Sequence, residues 1–337
     1  MLNGVIEGFY GKTWLPQDRL TYPKFLRAIG CNTYVYAPKS DVYLRAQWQR
    51  AWPEEQRQHL QTLAKTCDQE GIQLGVGLSP LGVSRDFNQK NQQRLEHKLQ
   101  EINALGVSLL CLLFDDIPGD SDALAVQQVK LCEFVEQHWQ GDLVMCPTYY
   151  SNDAALAQHF GVRPENYWPT LAAGLSSCWQ IFWTGEQVVS LEYHENELQQ
   201  AAENLGRKPI IWDNYPVNDG RLMWPFLNMI PVDRSILNNV ASGVLHNPMN
   251  QAWCSKLSLA RMKGLDNGLA VLLKAPEPLI AAILADAKSF QALGLEQFTD
   301  AQLQVFKTRY RQYEHPLAQE IVAWLNGEYE FDPACLT

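Results

Sequence analysis

From Val5 to Asn247, short apolar segments alternate with segments of helical period, and this rhythm constrains the fold more than any other feature of the chain. The candidate strands are Val5–Tyr10, Thr33–Pro38, Gln73–Pro80, Ser108–Asp116, Leu143–Thr148, Gln180–Gly185, Pro209–Tyr215 and Gly243–Asn247. Helical patterns lie between and after them, at Pro53–Gln69, Asn88–Leu105, Ala123–His138, Tyr193–Asn204 and Pro248–Lys263. The fourth strand carries no charge until its end, as expected of a parallel strand covered on both faces. Eight such units predict a (β/α)8 TIM barrel over residues 1–264. An open doubly wound sheet more often stops at five to seven strands, and no Gly-x-Gly-x-x-Gly follows the first strand here. Beyond Gly264 the rhythm changes. Glu277–Leu293, Asp300–Tyr313 and Pro316–Asn326 read as helices, so residues 265–337 are expected to form a C-terminal helical region packed on or following the barrel.

Composition narrows the function classes. With 27 basic and 37 acidic residues the formal charge is −10, which argues against a phosphate-backbone partner and hence against nucleic acid. No uninterrupted apolar stretch is long enough to span a membrane, and no basic segment followed by an apolar run opens the chain. The eight cysteines are scattered without C-x-x-C spacing and read as reduced, buried thiols. The expectation is therefore a cytoplasmic protein with no metal and no cofactor. The oligomeric state stays open.

In a barrel, polar residues at the C-terminal strand ends line one mouth. In order these are Glu7 to Gly11, Lys39, Asp115 with Asp116, Tyr149 with Tyr150, Trp183 with Thr184, Trp212 to Asn214 with Asp219, and His246 with Asn247. Acids, amides, one lysine and aromatic faces suit a neutral polyol such as a sugar. Three well-placed metal ligands are missing from this set, as is a nucleophile elbow. Adjacent Asp115 and Asp116, followed by Pro118-Gly119, are candidates for acid–base work on a glycosidic bond. The blander alternative is that the two acids end a strand and cap the next helix. Equally, Trp212 and Tyr150 could be packing residues and Lys39 a solvated loop charge.

Six ordered motifs carry a family resemblance. They are Gly4-Val5-Ile6-Glu7-Gly8-Phe9-Tyr10-Gly11, Tyr36-Ala37-Pro38-Lys39, Leu113-Phe114-Asp115-Asp116-Ile117, Cys146-Pro147-Thr148-x-Tyr150, Trp183-Thr184-Gly185 and the run from Trp212 to Asp219. Together, from about Gly4 to Lys263, they resemble glycoside hydrolase family 84, the β-N-acetylglucosaminidases that remove O-linked N-acetylglucosamine from Ser/Thr, and their bacterial relatives. The resemblance implies a retaining exo-acting hydrolase of terminal β-linked N-acetylglucosamine. In this family the substrate's own acetamido oxygen is the nucleophile and an oxazoline is the intermediate. It implies that Asp115 orients and polarises the acetamido N–H, and that Asp116 protonates the leaving oxygen and then takes a proton from water. Tyr150 and Trp212 match the acetamido pocket, with Asn214 bracing that group or the catalytic acids. Asp219 and Asn247 match the readers of the sugar 4- and 6-hydroxyls, Lys39 the residue that helps hold the 3-hydroxyl, and Gly8 a backbone carbonyl contact. The implied partner is a glycoside, glycopeptide or glycan fragment bearing β-N-acetylglucosamine.

The sequence departs from the family pattern at Tyr149 and Ser151, at Leu81, and at Ser40-Asp41. These positions bear on the aglycone side and leave the natural aglycone open. Two other readings remain. A chitobiase-like hexosaminidase would carry Asp-Glu in place of Asp115-Asp116, and a non-catalytic glycan-binding barrel would not need both acids.

Overall fold

The computed structural model describes residues 1–115, 117–119 and 121–331. Eight parallel strands close into a barrel in sequence order: β1 (Leu2–Ile6), β2 (Thr33–Tyr36), β3 (Gln73–Leu78), β4 (Leu109–Leu113), β5 (Asp142–Cys146), β6 (Trp179–Trp183), β7 (Ile210–Asp213) and β8 (Gly243–His246). Closure is made by β1 against β8, with Leu2 opposite Gly243 and Val5 opposite His246. Every residue of β2 and β4 is buried, because the barrel interior covers one face and the helical layer the other.

All eight expected strands form, with one shift of frame. The sequence places the first at Val5–Tyr10, whereas β1 ends at Ile6. The ladder fails there because the Gly8 N–H turns back to the Ile6 carbonyl (2.8 Å) and also meets Asn247 Oδ1 (3.1 Å). Residues 7–11 are therefore a mouth loop. The other strands likewise end before their expected C-terminal residues, which project as loops.

The long outer helices follow their sequence signals. Glu54–Glu70 begins after Pro53 with two acids in its first turn and stops at Gly71, which is left-handed. Gln89–Asn103 is capped by Asn88, whose side chain accepts the Asn91 N–H, and buries Leu95, Leu99 and Ile102 on one face. Among the described residues six short helices carry too few turns to show a period: Pro16–Leu20, Tyr22–Ala28, Ala154–Phe160, Tyr167–Gly174, Leu237–Val240 and Leu269–Leu273. The helix expected from Pro248 starts only at Ala252, because residues 247–250 form the loop after β8.

Helices Glu277–Ala292, Asp300–Arg311 and Pro316–Leu325 gather around Phe290, whose ring meets Phe306 at 5.0 Å and Trp324 at 5.1 Å. Their apolar faces are continuous with the barrel's core. Polar contacts tie the same helices to the barrel. Glu320 Oε2 accepts the N–H groups of Trp253 (2.8 Å) and Cys254 (2.9 Å), and Trp324 Nε1 donates to the Trp224 carbonyl (3.2 Å).

Among the described residues all cysteines are free, and six are buried. Cys178 is exposed, against the expectation of burial, while Cys335 lies outside the described residues. No described helix is long and apolar enough to cross a membrane.

Candidate active site

A cavity of about 160 Å³ opens at the C-terminal mouth of the barrel. Loops after seven strands build it, that after β6 with Thr184, Val188 and Val189. Gly8 and Tyr10 come from the loop after β1, Lys39 from that after β2, Asp115 from that after β4, Tyr150 from that after β5, Trp212 to Asp219 from β7 and its loop, and Asn247 from the loop after β8. Every described residue to which the family resemblance assigns a role thus lines this one pocket. Asp116 lies outside the described residues.

Asp115 sits two residues beyond the end of β4, in a turn, after Phe114 has donated its N–H to the Cys146 carbonyl (2.9 Å). Strand alternation therefore no longer dictates where its own side chain points. Its carboxylate is 7% exposed, and Oδ2 is ion-paired with the Lys39 ammonium, itself 5% exposed. The other oxygen, Oδ1, is buried and has no hydrogen-bond partner among the described residues. A buried carboxylate oxygen without a donor is costly unless a ligand supplies one. Lys39 also lies 5.6 Å from the Trp212 ring centre and 5.9 Å from that of Tyr10, so its charge faces aromatic walls.

One wall is a relay of amides. Gly8 N–H donates to Asn247 Oδ1 (3.1 Å), Asn247 Nδ2 to Asn214 Oδ1 (2.9 Å), and Asn214 Nδ2 to the Val188 carbonyl (2.7 Å). The relay ties the loops after β1, β8, β7 and β6. Asn214 braces Asn247 by this route, and its bonds do not reach Asp115. Asp219 Oδ2 accepts the Tyr10 N–H (2.7 Å), which joins the β7 loop to the β1 loop across the mouth.

Gly8 has a steric reason that the sequence did not disclose. A Cβ there would stand 2.0 Å from Trp212 Cζ2, so the glycine admits the indole to the pocket wall. Trp212 is backed in turn by an edge contact with Phe182 at 5.2 Å.

Not every polar residue at a strand end faces the cavity. Glu7 is fully buried beneath the mouth, paired with Arg19 (Nε–Oε1 2.9 Å) and bonded to the Tyr34 hydroxyl. Asp213 is also fully buried, between Arg234 (2.9 Å) and His246 Nδ1 (3.0 Å). Burial pushes its carboxyl up, but His246 and Arg234 outweigh that and hold it below the ordinary value of 3.8. Trp183 packs edge-on against Trp168 (5.3 Å), and the Tyr149 hydroxyl donates to the Gly161 carbonyl (2.8 Å). Glu7, Asp213, His246, Trp183 and Tyr149 therefore hold up the mouth without lining it. Sequence reasoning missed Val188 and Val189 and gave no role to Val217 within the run from Trp212 to Asp219; all three add apolar lining. Their only signal is position, in loops that follow strand ends. Among the described residues no three His, Cys, Asp or Glu side chains cluster as metal ligands.

Comparison with known proteins gives a consistent result. The family model described as beta-N-acetylglucosaminidase matches residues 3–265. The Protein O-GlcNAcases of Rattus norvegicus and Mus musculus are each 30% identical over 258 residues, covering 73% of this chain and 28% of theirs. The chain thus spans little more than a quarter of the length of those relatives. Among solved structures, a mutant of the Thermobaculum terrenum O-GlcNAc hydrolase aligns with a TM-score of 0.74 at 27% identity, over 96% of this chain and 73% of that one.

Proposed function

The chain belongs to the beta-N-acetylglucosaminidase family, and on that premise we propose that it is a retaining exo-β-N-acetylglucosaminidase acting by substrate assistance. The observation that carries this reading is the asymmetry of the Asp115 carboxylate. Lys39 holds one oxygen, while the other is buried in the pocket without a donor among the described residues. A substrate acetamido N–H is a donor of the right kind. Accepting it leaves the acetamido oxygen to attack the anomeric carbon as the bond to the leaving oxygen breaks.

Asp115 then stabilises the positive charge that develops on the oxazoline, at a site fixed before reaction. Lys39 keeps that carboxylate in place, in addition to its assigned contact with the 3-hydroxyl. Asp116 is assigned, from its place in the sequence and the family resemblance, as the acid that protonates the leaving oxygen and the base that later deprotonates water. Tyr150 and Trp212 enclose the acetamido methyl, and Asp219 and Asn247 read the 4- and 6-hydroxyls. The neutral amide relay and the apolar Val188 and Val217 suit a sugar ring better than a charged ligand.

The test is hydrolysis of aryl β-N-acetylglucosaminides followed by proton NMR. The β-anomer is expected first, with full activity in a chelator. Asp116→Ala should slow substrates with poor leaving groups far more than activated ones. Initial release of the α-anomer, or a trapped glycosyl–aspartate ester, would defeat the mechanism. Glycopeptides, chitin oligomers and hyaluronan oligomers then identify the aglycone.

A further inference from the structure

On the flank of the barrel a second cavity, of about 370 Å³, lies between the short helices after β1 and helix Leu269–Leu273. It shares no lining residue with the pocket at the mouth. Lys256, 2% exposed, borders it. The ammonium donates to the Thr21 hydroxyl and lies 3.7 Å from the Trp253 ring centre. It has no carboxylate at ion-pairing distance among the described residues. The acids that act on it at longer range also accept bonds elsewhere, Glu320 from the Trp253 and Cys254 N–H groups and Asp18 from Trp253 Nε1 (2.9 Å). Burial outweighs their pull and lowers the Lys256 amine to about 8.

Two further lysines border the same cavity. Lys24 and Lys274 are both exposed at its rim, and Lys274 has φ 53°, a left-handed conformation that glycine adopts at least cost. Among the described residues one acid, Glu70, borders the cavity, and it already faces Arg27 (3.3 Å). In a chain of net charge −10, three ammonium groups thus border one hole. The remaining walls include Phe25, Leu272, Leu273 and the face of Trp253.

We propose that this cavity is a binding site for a small organic anion, a carboxylate carrying a short apolar group. The carboxylate takes the unused N–H donors of Lys256, with Lys24 and Lys274 adding charge at the rim, and the apolar group covers Trp253 and Leu273. A buried ammonium with no carboxylate at ion-pairing distance gains most from such a ligand, because the partner restores what desolvation removed. A bare inorganic anion would leave the apolar walls unfilled.

The test is calorimetric titration of the intact protein with sodium hexanoate in the presence of saturating N-acetylglucosamine, the proposed ligand of the mouth pocket. Saturable binding is expected, at least about tenfold weaker in Lys256→Met and several-fold weaker in Lys24→Met and Lys274→Gly. Lys24 is a surface residue, so its variant still tests the charge if Lys256→Met does not fold. Neutral 1-hexanol and inorganic phosphate should each bind more weakly than hexanoate. Absence of hexanoate binding, or equal binding by the lysine variants, overturns the proposal. Equal affinity for 1-hexanol would reduce the site to an apolar hole, and tighter binding of phosphate would reduce it to a bare anion site.

Discussion

Gly8→Ala puts the smallest side chain where the pocket can least admit one. The new Cβ would lie 2.0 Å from Trp212 Cζ2, 2.8 Å from Cη2 and 3.0 Å from Cε2, and ordinary contact begins at 3.4 Å. The nearest separation must grow by 3.4 − 2.0, or 1.4 Å, either by driving the indole away or by moving the loop after β1. The indole has little freedom to yield, since Trp212 is buried and rests against Phe182. The loop is held by the Gly8 N–H on Asn247 and the Tyr10 N–H on Asp219. Overpacking of this kind costs about 1–3 kcal/mol in stability. A displacement of about 1 Å in a substrate-positioning wall costs about 10²-fold in rate. The expected result is a loss of about two orders of magnitude in kcat/KM on an aryl β-N-acetylglucosaminide, with a lowered melting temperature. Trp212→Phe removes the ring atoms that collide, so the stability cost of Gly8→Ala should shrink sharply in that background, a coupling that a double-mutant cycle reads directly. Full activity and an unchanged melting temperature for Gly8→Ala would refute the steric argument. Additive costs in the double mutant would show that Trp212 is not the partner.

Asp115→Asn keeps the shape but replaces a carboxylate with an amide that stabilises positive charge poorly, and should lower kcat by about 10²–10³-fold with circular dichroism unchanged. Asp219→Ala removes a charged acceptor from the Tyr10 N–H as well as from the proposed sugar hydroxyls, and should lower kcat/KM by about two to three orders of magnitude. A mutant with near-normal kinetics and a reduced melting temperature would confine Asp219 to bracing the loops. Asp213→Asn leaves the Arg234 guanidinium without its buried partner and should cost about 3–5 kcal/mol at pH 7, read by denaturant unfolding. Because the folded-state carboxyl of Asp213 lies below 3.8, its contribution is present above that pH and fades as pH falls through the lower folded value. The gap between wild type and Asp213→Asn should therefore narrow only in acid below pH 3.8, and a gap that narrowed already near neutrality would be inconsistent with this.

What the sequence determined by itself was whatever depends on neighbours along the chain. Apolar runs such as Leu109–Leu113 between helices with proline, acid or asparagine starts specify strands and helices locally, and eight such units leave few topologies besides a closed parallel barrel. The same periodicity carried Asp115, Tyr150, Trp212 and Asn247 to one end of the barrel, because loops after strand ends share a face. Boundaries were less legible. Residues 7–11 look like strand in composition, yet a bond to Asn247, 239 residues from Gly8, helps draw the chain out of the ladder. Only the tertiary structure divided the polar strand ends into cavity-lining and supporting groups. Glu7 and Asp213 read like Asp115 in the sequence, but Arg19 and Arg234 satisfy the first two, while Asp115 keeps one oxygen without a partner among the described residues. The pairing of Lys39 with Asp115 across 76 residues, and the contact between Gly8 and Trp212, were equally invisible. The physical reason is range. Period and turn chemistry act over a few residues, whereas charge compensation and close packing depend on which distant segments the closed barrel brings into contact.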